Sequence, residues 1–301
     1  MDYCLLERFQ GAWLGSILGE ALANRQIDST RDRIVHYQPV EWLKPREQVT
    51  KVLLDSSCQF PPLIAAVKEQ NVARLALLLL PLIIFANGSL TSLKDLLTKY
   101  NLFKPNSVEN LEDVLIWGYA IFLALTERLD LNNLIAQLSG GVGVEDNLLI
   151  KRLELVNQAV TQNMSLHEIE TALRNRGNYG QVSIAMSLYS WAASPEDFAL
   201  MFARLRATTS LDLTTMALSG ALAGAYLGIS GIPWLWRIWG QNNLLYRQAE
   251  STATELFNAW SGVYLPSSQG LKSVTLSIGG RIQPRANLKI ISQWEQRESS
   301  R

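Results

Sequence analysis

Arg8-Phe9-Gln10-Gly11-Ala12-Trp13-Leu14-Gly15-Ser16-Ile17-Leu18-Gly19-Glu20-Ala21-Leu22 places three glycines four residues apart in an otherwise apolar run. Leu6, Phe9, Trp13, Leu14, Ile17, Leu18 and Leu22 recur at three- and four-residue intervals, which predicts a helix over Leu5 to Asn24. Each glycine inside a helix costs about 1 kcal/mol relative to alanine. Three in one row are compensated when another helix packs close against that small-residue face. The stretch therefore predicts a tight helix pair.

Moving outward, residues 25–60 are polar and carry Pro39 and Pro45, with Pro61 and Pro62 just beyond. They read as a long connection with one short helix around Pro45 to Leu54. Helical patterns then follow one another at roughly 61–69, 71–86, 89–99, 108–127, 130–139, 146–162, 165–174, 179–193 and 195–207. Ser165 with Glu168 three residues later forms a capping-box signature. Ser194-Pro195-Glu196-Asp197 predicts an N-cap serine, a first-turn proline and acids at the positive helix end. Glycines at 88, 140–141 and 177 read as helix stops. Strand-like alternation is almost absent before residue 270. Then Val274 to Ile278, Gly279-Gly280 and a second extended run suggest a hairpin. The expected architecture is an all-α multi-helix bundle over residues 1–265 with a C-terminal tail, 266–301. That tail holds six Lys or Arg against two Glu and reads as a solvated tail, the alternative being a basic arm that docks on an acidic partner.

A chain of 301 residues is long enough for a large core, and 48% of it is hydrophobic. Lys plus Arg equals Asp plus Glu at 27 each, so no net field draws it to nucleic acid or anionic lipid. Cys4 and Cys58 have neither disulfide-framework nor zinc spacing and read as buried or incidental thiols. The strongest apolar run, Leu75 to Ala86, is interrupted by Pro81 and falls short of the roughly 20 residues of a membrane span. The first ten residues lack the basic-then-apolar order of a signal peptide, so a soluble cytoplasmic protein is expected. His36 and His167 sit on separate segments without ligand spacing. Glu109, Glu112 and Asp113 read as acids at a helix start, favoured there by the macrodipole. Gly140-Gly141-Val142-Gly143 follows no strand and precedes no Gly-Lys-Ser/Thr, so it is a weak phosphate loop. Trp234, Trp236, Trp239 and Tyr246 read chiefly as core aromatics, the alternative being an exposed patch for a partner or a ring-shaped ligand.

Three stretches together resemble the ADP-ribosylglycohydrolase family, the all-α two-magnesium enzymes that include DraG-like hydrolases and J-type lens crystallins. The opening stretch is similar to the family's G-A-x-x-G-x-x-x-G-D-A-x-G helix. Arg74 to Asn87, with Pro81, is similar to its R-I-A-P-L-A-L helix. Gly220-Ala221-Leu222-Ala223-Gly224-Ala225-Tyr226-Leu227-Gly228, followed by Gly231-Ile232-Pro233 and Trp236, resembles its closing G-A-L-A-G-A-Y-Y-G…I-P-x-x-W segment. Val182 to Leu200 looks like the helix pair the family places upstream. The resemblance touches about two thirds of the chain, and only the closing segment is specific.

The family holds its two magnesium ions with hard oxygen ligands, mostly aspartates, from a T-D-D-T turn and a D-x-D-T run before the closing helix. Here Leu211 and Leu213 stand at both aspartate positions of that run, Asp212 falls between them and Thr214 matches the threonine. Glu20 replaces the opening-helix aspartate. No T-D-D-T occurs, and Asp55-Ser56-Ser57-Cys58-Gln59 is the nearest fragment. The resemblance thus implies a degenerate member, with no catalytic residues, no magnesium and a remnant cleft at Glu20, Asp212 and Thr214. The expected function is a non-catalytic binding or scaffold protein for a protein partner or an ADP-ribose-like molecule. Two alternatives stand beside it: a hydrolase of ADP-ribosylated substrates with a reduced magnesium site, and a non-catalytic binder of ADP-ribose or a nucleotide.

Overall fold

The computed structural model describes residues 4–23, 27–28, 33–34, 43–54, 71–86, 90–99, 108–143, 147–174, 178–207, 212–262, 277–278 and 281–282. Among these, fourteen α-helices account for nearly the whole fold, as the helical periodicity predicts. Helix α1 (Leu5–Ala23) is followed by a two-stranded ribbon, β1 (Ile27–Asp28) and β2 (Arg33–Ile34). Then come α2 (Leu43–Leu54), α3 (Val72–Leu78), α4 (Leu80–Phe85), α5 (Leu90–Lys99), α6 (Val108–Leu125), α7 (Leu134–Val142), α8 (Leu148–Thr161), α9 (Leu166–Arg174) and α10 (Tyr179–Ala192). The series closes with α11 (Phe198–Arg206), α12 (Leu213–Leu227), a 3-10 turn (Ile229–Gly231), α13 (Trp234–Gln241) and α14 (Leu244–Ser261). In the C-terminal segment β3 (Ser277–Ile278) pairs antiparallel with β4 (Arg281–Ile282), Ser277 opposite Ile282, at the hairpin read from the sequence.

The centre of the fold is the antiparallel pair of α1 and α12. A Cβ on Gly15 would lie 2.1 Å from the Gly220 carbonyl oxygen, and one on Gly224 would lie 1.9 Å from that of Gly11. Gly19 meets the Met216 carbonyl in the same way, at 2.2 Å. The glycine row of α1 therefore faces the glycine row of α12 backbone to backbone, and close packing over this length offsets their poor helix propensity. Both helices are buried along almost their whole length. Ser219 on α12 and Ser16 on α1 donate to carbonyls within their own helices, Thr215 and Trp13, so these two buried hydroxyls are satisfied locally.

Other helices pack around the pair. Phe9 meets Phe257 and Trp260 of α14 with ring centroids 5.3 and 5.6 Å apart, and Gln10 donates to Thr254 at 3.0 Å. On another side, Trp191 of α10 sits edge-on to Tyr226 at 5.2 Å. Arg8 is buried and binds the C-terminal turns of two helices at once. Its guanidinium donates to the carbonyls of Ala124 (2.7 Å), Tyr226 (2.8 Å) and Ala225 (3.3 Å), and it pairs with Glu127 at 2.7 Å. A cation there satisfies last-turn carbonyls and the negative ends of α6 and α12.

The structure corrects several local expectations. The apolar run 71–86 is two helices, α3 and α4, broken at Leu79 with Pro81 in the first turn of the second, because proline cannot donate the bond a continuous helix needs. Asn71 caps α3 through its side chain, accepting from Ala73 at 3.0 Å. The cap of α11 is Asp197, which accepts from the Leu200 amide at 2.8 Å, and Ser194 lies outside the helix with its hydroxyl on Ala193. Gly140 and Gly141 continue α7, and the stop is Gly143, whose φ of 74° needs glycine. The ribbon β1–β2 was not expected in the polar connection. The capping box is present: the Ser165 amide and hydroxyl each donate to the Glu168 carboxylate at 2.7 Å and hold that exposed carboxyl below its usual range, and the Glu168 amide donates back to Ser165 Oγ at 3.3 Å. The expected helix at 61–69, the stops at Gly88 and Gly177, His36, Cys58 and Leu211 lie outside the described residues. Cys4 is exposed, not buried, and His167 is exposed on α9.

Candidate functional site

The antiparallel register determines what meets at the N-terminal end of α12. Gly19 lies against Met216 and Ala217, so Glu20 is carried to the level of the first turn of α12, where Asp212, Leu213 and Thr214 stand. The three residues singled out from the sequence therefore share one end of the central pair. Asp212 occupies the N-cap position with extended backbone but makes no side-chain capping bond, and its buried Oδ2 has no hydrogen-bond partner among the described residues. Thr214 is fully buried and its Oγ1 likewise has none. Leu213, half-buried, opens the helix.

Glu20 is fully buried. It lies one turn beyond Ser16 on α1, and that turn is covered by Arg46 of α2. Arg46 is also buried, donates to Ser16 Oγ at 2.6 Å and stacks over the Trp13 ring at 4.8 Å.

Beside Asp212 lies the N-terminus of α10. Burial pushes the Tyr179 phenol up, Asp212 adds to that, and Arg174, 5.7 Å from the ring centre, opposes it. Arg174 is held by Glu170 at 2.9 Å. Deeper in, Asp113 accepts from Gln181 at 2.7 Å, and Arg152 donates to the other end of the same amide. Burial lowers the Arg152 pKa and the charge of Asp113 partly restores it. The reading of Asp113 as a helix-start acid is thus corrected: it is fully buried in α6 and anchors a polar chain across to α8 and α10. Charge at a helix start is visible in a sequence, but the long-range partner that takes it inside is not. Glu112 remains half-buried at the edge and accepts from Asn147 at 2.8 Å.

Among the described residues no three His, Cys, Asp or Glu side chains gather where they could hold a cation. Leu213, at one of the positions expected to carry a ligand in the resembled motif, offers only carbon to a cation. A solved structure, an ADP-ribosylglycohydrolase-related protein complex, superposes with a TM-score of 0.53 at 17% identity, over 83% of this chain and 98% of that one. The fold is the ADP-ribosylglycohydrolase fold. No protein-family model and no curated protein matches the sequence. Among the described residues no helix is long and apolar enough to cross a membrane.

A cavity lies elsewhere in the fold, between the 3-10 turn, α13 and α14, and none of Glu20, Asp212 or Thr214 lines it. The aromatic cluster expected as core is divided there. Trp236 packs between Phe198 and Phe202 and Tyr246 is buried, whereas Trp234 is 61% exposed. Burial pushes the Tyr246 phenol strongly up, with Glu250 adding and Arg237 opposing. The folded state therefore keeps Tyr246 protonated after the unfolded chain, with an ordinary value of about 10, has ionised. Stability supplied by this group is intact below pH ~10 and falls as pH rises beyond it. In chemical denaturation followed from neutral to strongly alkaline pH, Tyr246→Phe is expected to lose less stability above that point than the parent chain.

Proposed function

We propose that this chain is a non-catalytic protein on the ADP-ribosylglycohydrolase fold, acting by binding, as a scaffold or adaptor for a partner. The observation that carries the reading is the start of α12, where Leu213 stands in place of an aspartate and Thr214 is sealed inside. Glu20 supports it, since it is fully buried and not directed to solvent. Metal-assisted cleavage of a glycosidic bond needs an open position for water and substrate on the cation. Two fully buried residues and a leucine provide none. The solved structure with this fold is named as a complex, which favours assembly with a partner as the working role. A cytoplasmic setting agrees with the balanced charge.

One observation favours a second reading. The Asp212 Oδ2 and Thr214 Oγ1 atoms are buried at one helix start without hydrogen-bond partners among the described residues, as ligands of a single cation would be. Calorimetry with magnesium, with ADP-ribose and with both separates the cases. The proposal expects no saturable heat and no release of ADP-ribose from a modified substrate. Micromolar magnesium binding that disappears in Asp212→Asn and Glu20→Gln would replace it with a reduced one-cation hydrolase site. ADP-ribose binding without turnover would replace it with a nucleotide-binding role.

A further inference from the structure

The C-terminal end of α12 lies about 20 Å from Asp212 along the helix axis and carries a second, separate feature. Gly228, with φ of 70°, turns the chain into the 3-10 segment, and α13 and α14 then enclose a cavity of about 310 Å³. This is the lower end of the size range of small-molecule sites. Its walls divide by chemistry. Trp234, Ile229 and Ile238 supply an apolar side, and Trp234 and Ile238 are 61% and 44% exposed, a surface left open at the mouth. Arg237, Tyr246 and Glu250 supply the polar side.

Two polar atoms of that side are unsatisfied. The Tyr246 side chain is 2% exposed, packed edge-on to Trp239 at 6.1 Å, and its hydroxyl has no hydrogen-bond partner among the described residues. The Arg237 Nε–H is buried without one as well. Gly240 keeps Tyr246 in place, since a Cβ there would lie 2.4 Å from its ring. Buried donors without acceptors are costly, and in native proteins they commonly mark a bound water, ion or ligand. Arg237 and Glu250 line the same cavity but do not pair with each other. A lone anion would meet Arg237 and the phenol favourably and be repelled by Glu250. A lone cation would meet the reverse.

We infer that this cavity is a binding site for a small zwitterion with an apolar side chain, of the free amino-acid class. Its carboxylate accepts from Arg237 and the Tyr246 hydroxyl, its ammonium donates to Glu250, and its side chain lies against Trp234, Ile229 and Ile238. Both wall charges are then matched by a ligand of zero net charge, and the open indole is covered. The site is separate from Glu20, Asp212 and Thr214 at the far end of α12.

Isothermal calorimetry on the full chain tests this with L-tryptophan and L-leucine, against N-acetyl-L-tryptophan, which lacks the ammonium, and L-tryptophan amide, which lacks the carboxylate. Saturable binding of a free amino acid is expected, with each blocked derivative weaker by about tenfold or more. Arg237→Gln should abolish the preference for a free carboxylate, and Glu250→Gln the preference for a free ammonium. Circular dichroism of the two variants confirms that they are folded. No saturable heat from any amino acid at millimolar concentration would overturn the assignment. Binding unchanged in both variants would overturn it too, as would tighter binding of adenine or inorganic phosphate than of either amino acid.

Discussion

Gly15→Ala is expected to destabilise the protein by about 3 kcal/mol or more, although the same change raises intrinsic helix propensity by about 1 kcal/mol. The added Cβ would lie 2.1 Å from the Gly220 carbonyl oxygen and 2.9 Å from its carbon. Both are backbone atoms of a fully buried helix, so no side chain can rotate away. The helices must move apart by more than an ångström along a contact shared by Gly11, Gly19, Gly220 and Gly224, and the surrounding core loses close packing with them. Gly140→Ala is the control. That glycine is also inside a helix, α7, but nothing lies within 4 Å of an added Cβ. It should gain roughly 0.5–1 kcal/mol from propensity alone. Urea denaturation of the two variants beside the parent chain checks both signs. If Gly15→Ala matched Gly140→Ala, the backbone contact of α1 and α12 would be wrong.

The second large effect is at Arg8. Arg8→Met keeps much of the side chain's length and apolar stem but removes a buried guanidinium that serves Ala124, Ala225 and Tyr226 and pairs with Glu127. Glu127 is largely exposed, so its half of the ion pair is screened and contributes little. The loss comes from the carbonyls: Ala225 and Tyr226 in the last turn of α12 lose their side-chain donor, at about 1–3 kcal/mol each, while Ala124 keeps its bond from the Glu127 amide at 3.2 Å. A total of roughly 3–5 kcal/mol is expected. Glu127→Gln, which leaves those carbonyls served, should cost well under about 1 kcal/mol. Thermal or denaturant unfolding of the two variants measures the contrast, and equal losses would place the stabilisation in the ion pair instead.

Much of the helical framework could be read from the chain because a period near 3.6 residues is a local signal. The helices at 43–54, 90–99, 108–125, 148–161, 166–174 and 179–192 appear close to their expected bounds for that reason. The candidate site was legible in part. Glu20, Asp212 and Thr214 were placed together through the resemblance, and the register of α1 on α12 brings them to one end. Their burial was not legible. Nothing local to Glu20 says that Arg46 will cover the turn before it, and nothing local to Asp113 says that Gln181, 68 residues away, will donate to it. The cavity beside Tyr246 was not legible for the same reason: Trp234 and Tyr246 stand out in the sequence as core aromatics or an exposed patch, but only the crossing of α13 and α14 turns them to one space with Arg237 and Glu250.

The sequence by itself determined that this is an all-α protein with a row of small residues on its first helix, and it set the expectation of leucines at the aspartate positions of the family it resembles. Both are properties of residue order, and order is what periodicity and motif report. Only the tertiary structure decided which helix fills the glycine row, that Glu20 and Thr214 are sealed from solvent, and that an unsatisfied phenol and two separated charges share a cavity at the far end of α12. Those depend on long-range contacts whose free energy comes from burial and close packing, and side chains far apart in the chain acquire them only when the helices meet.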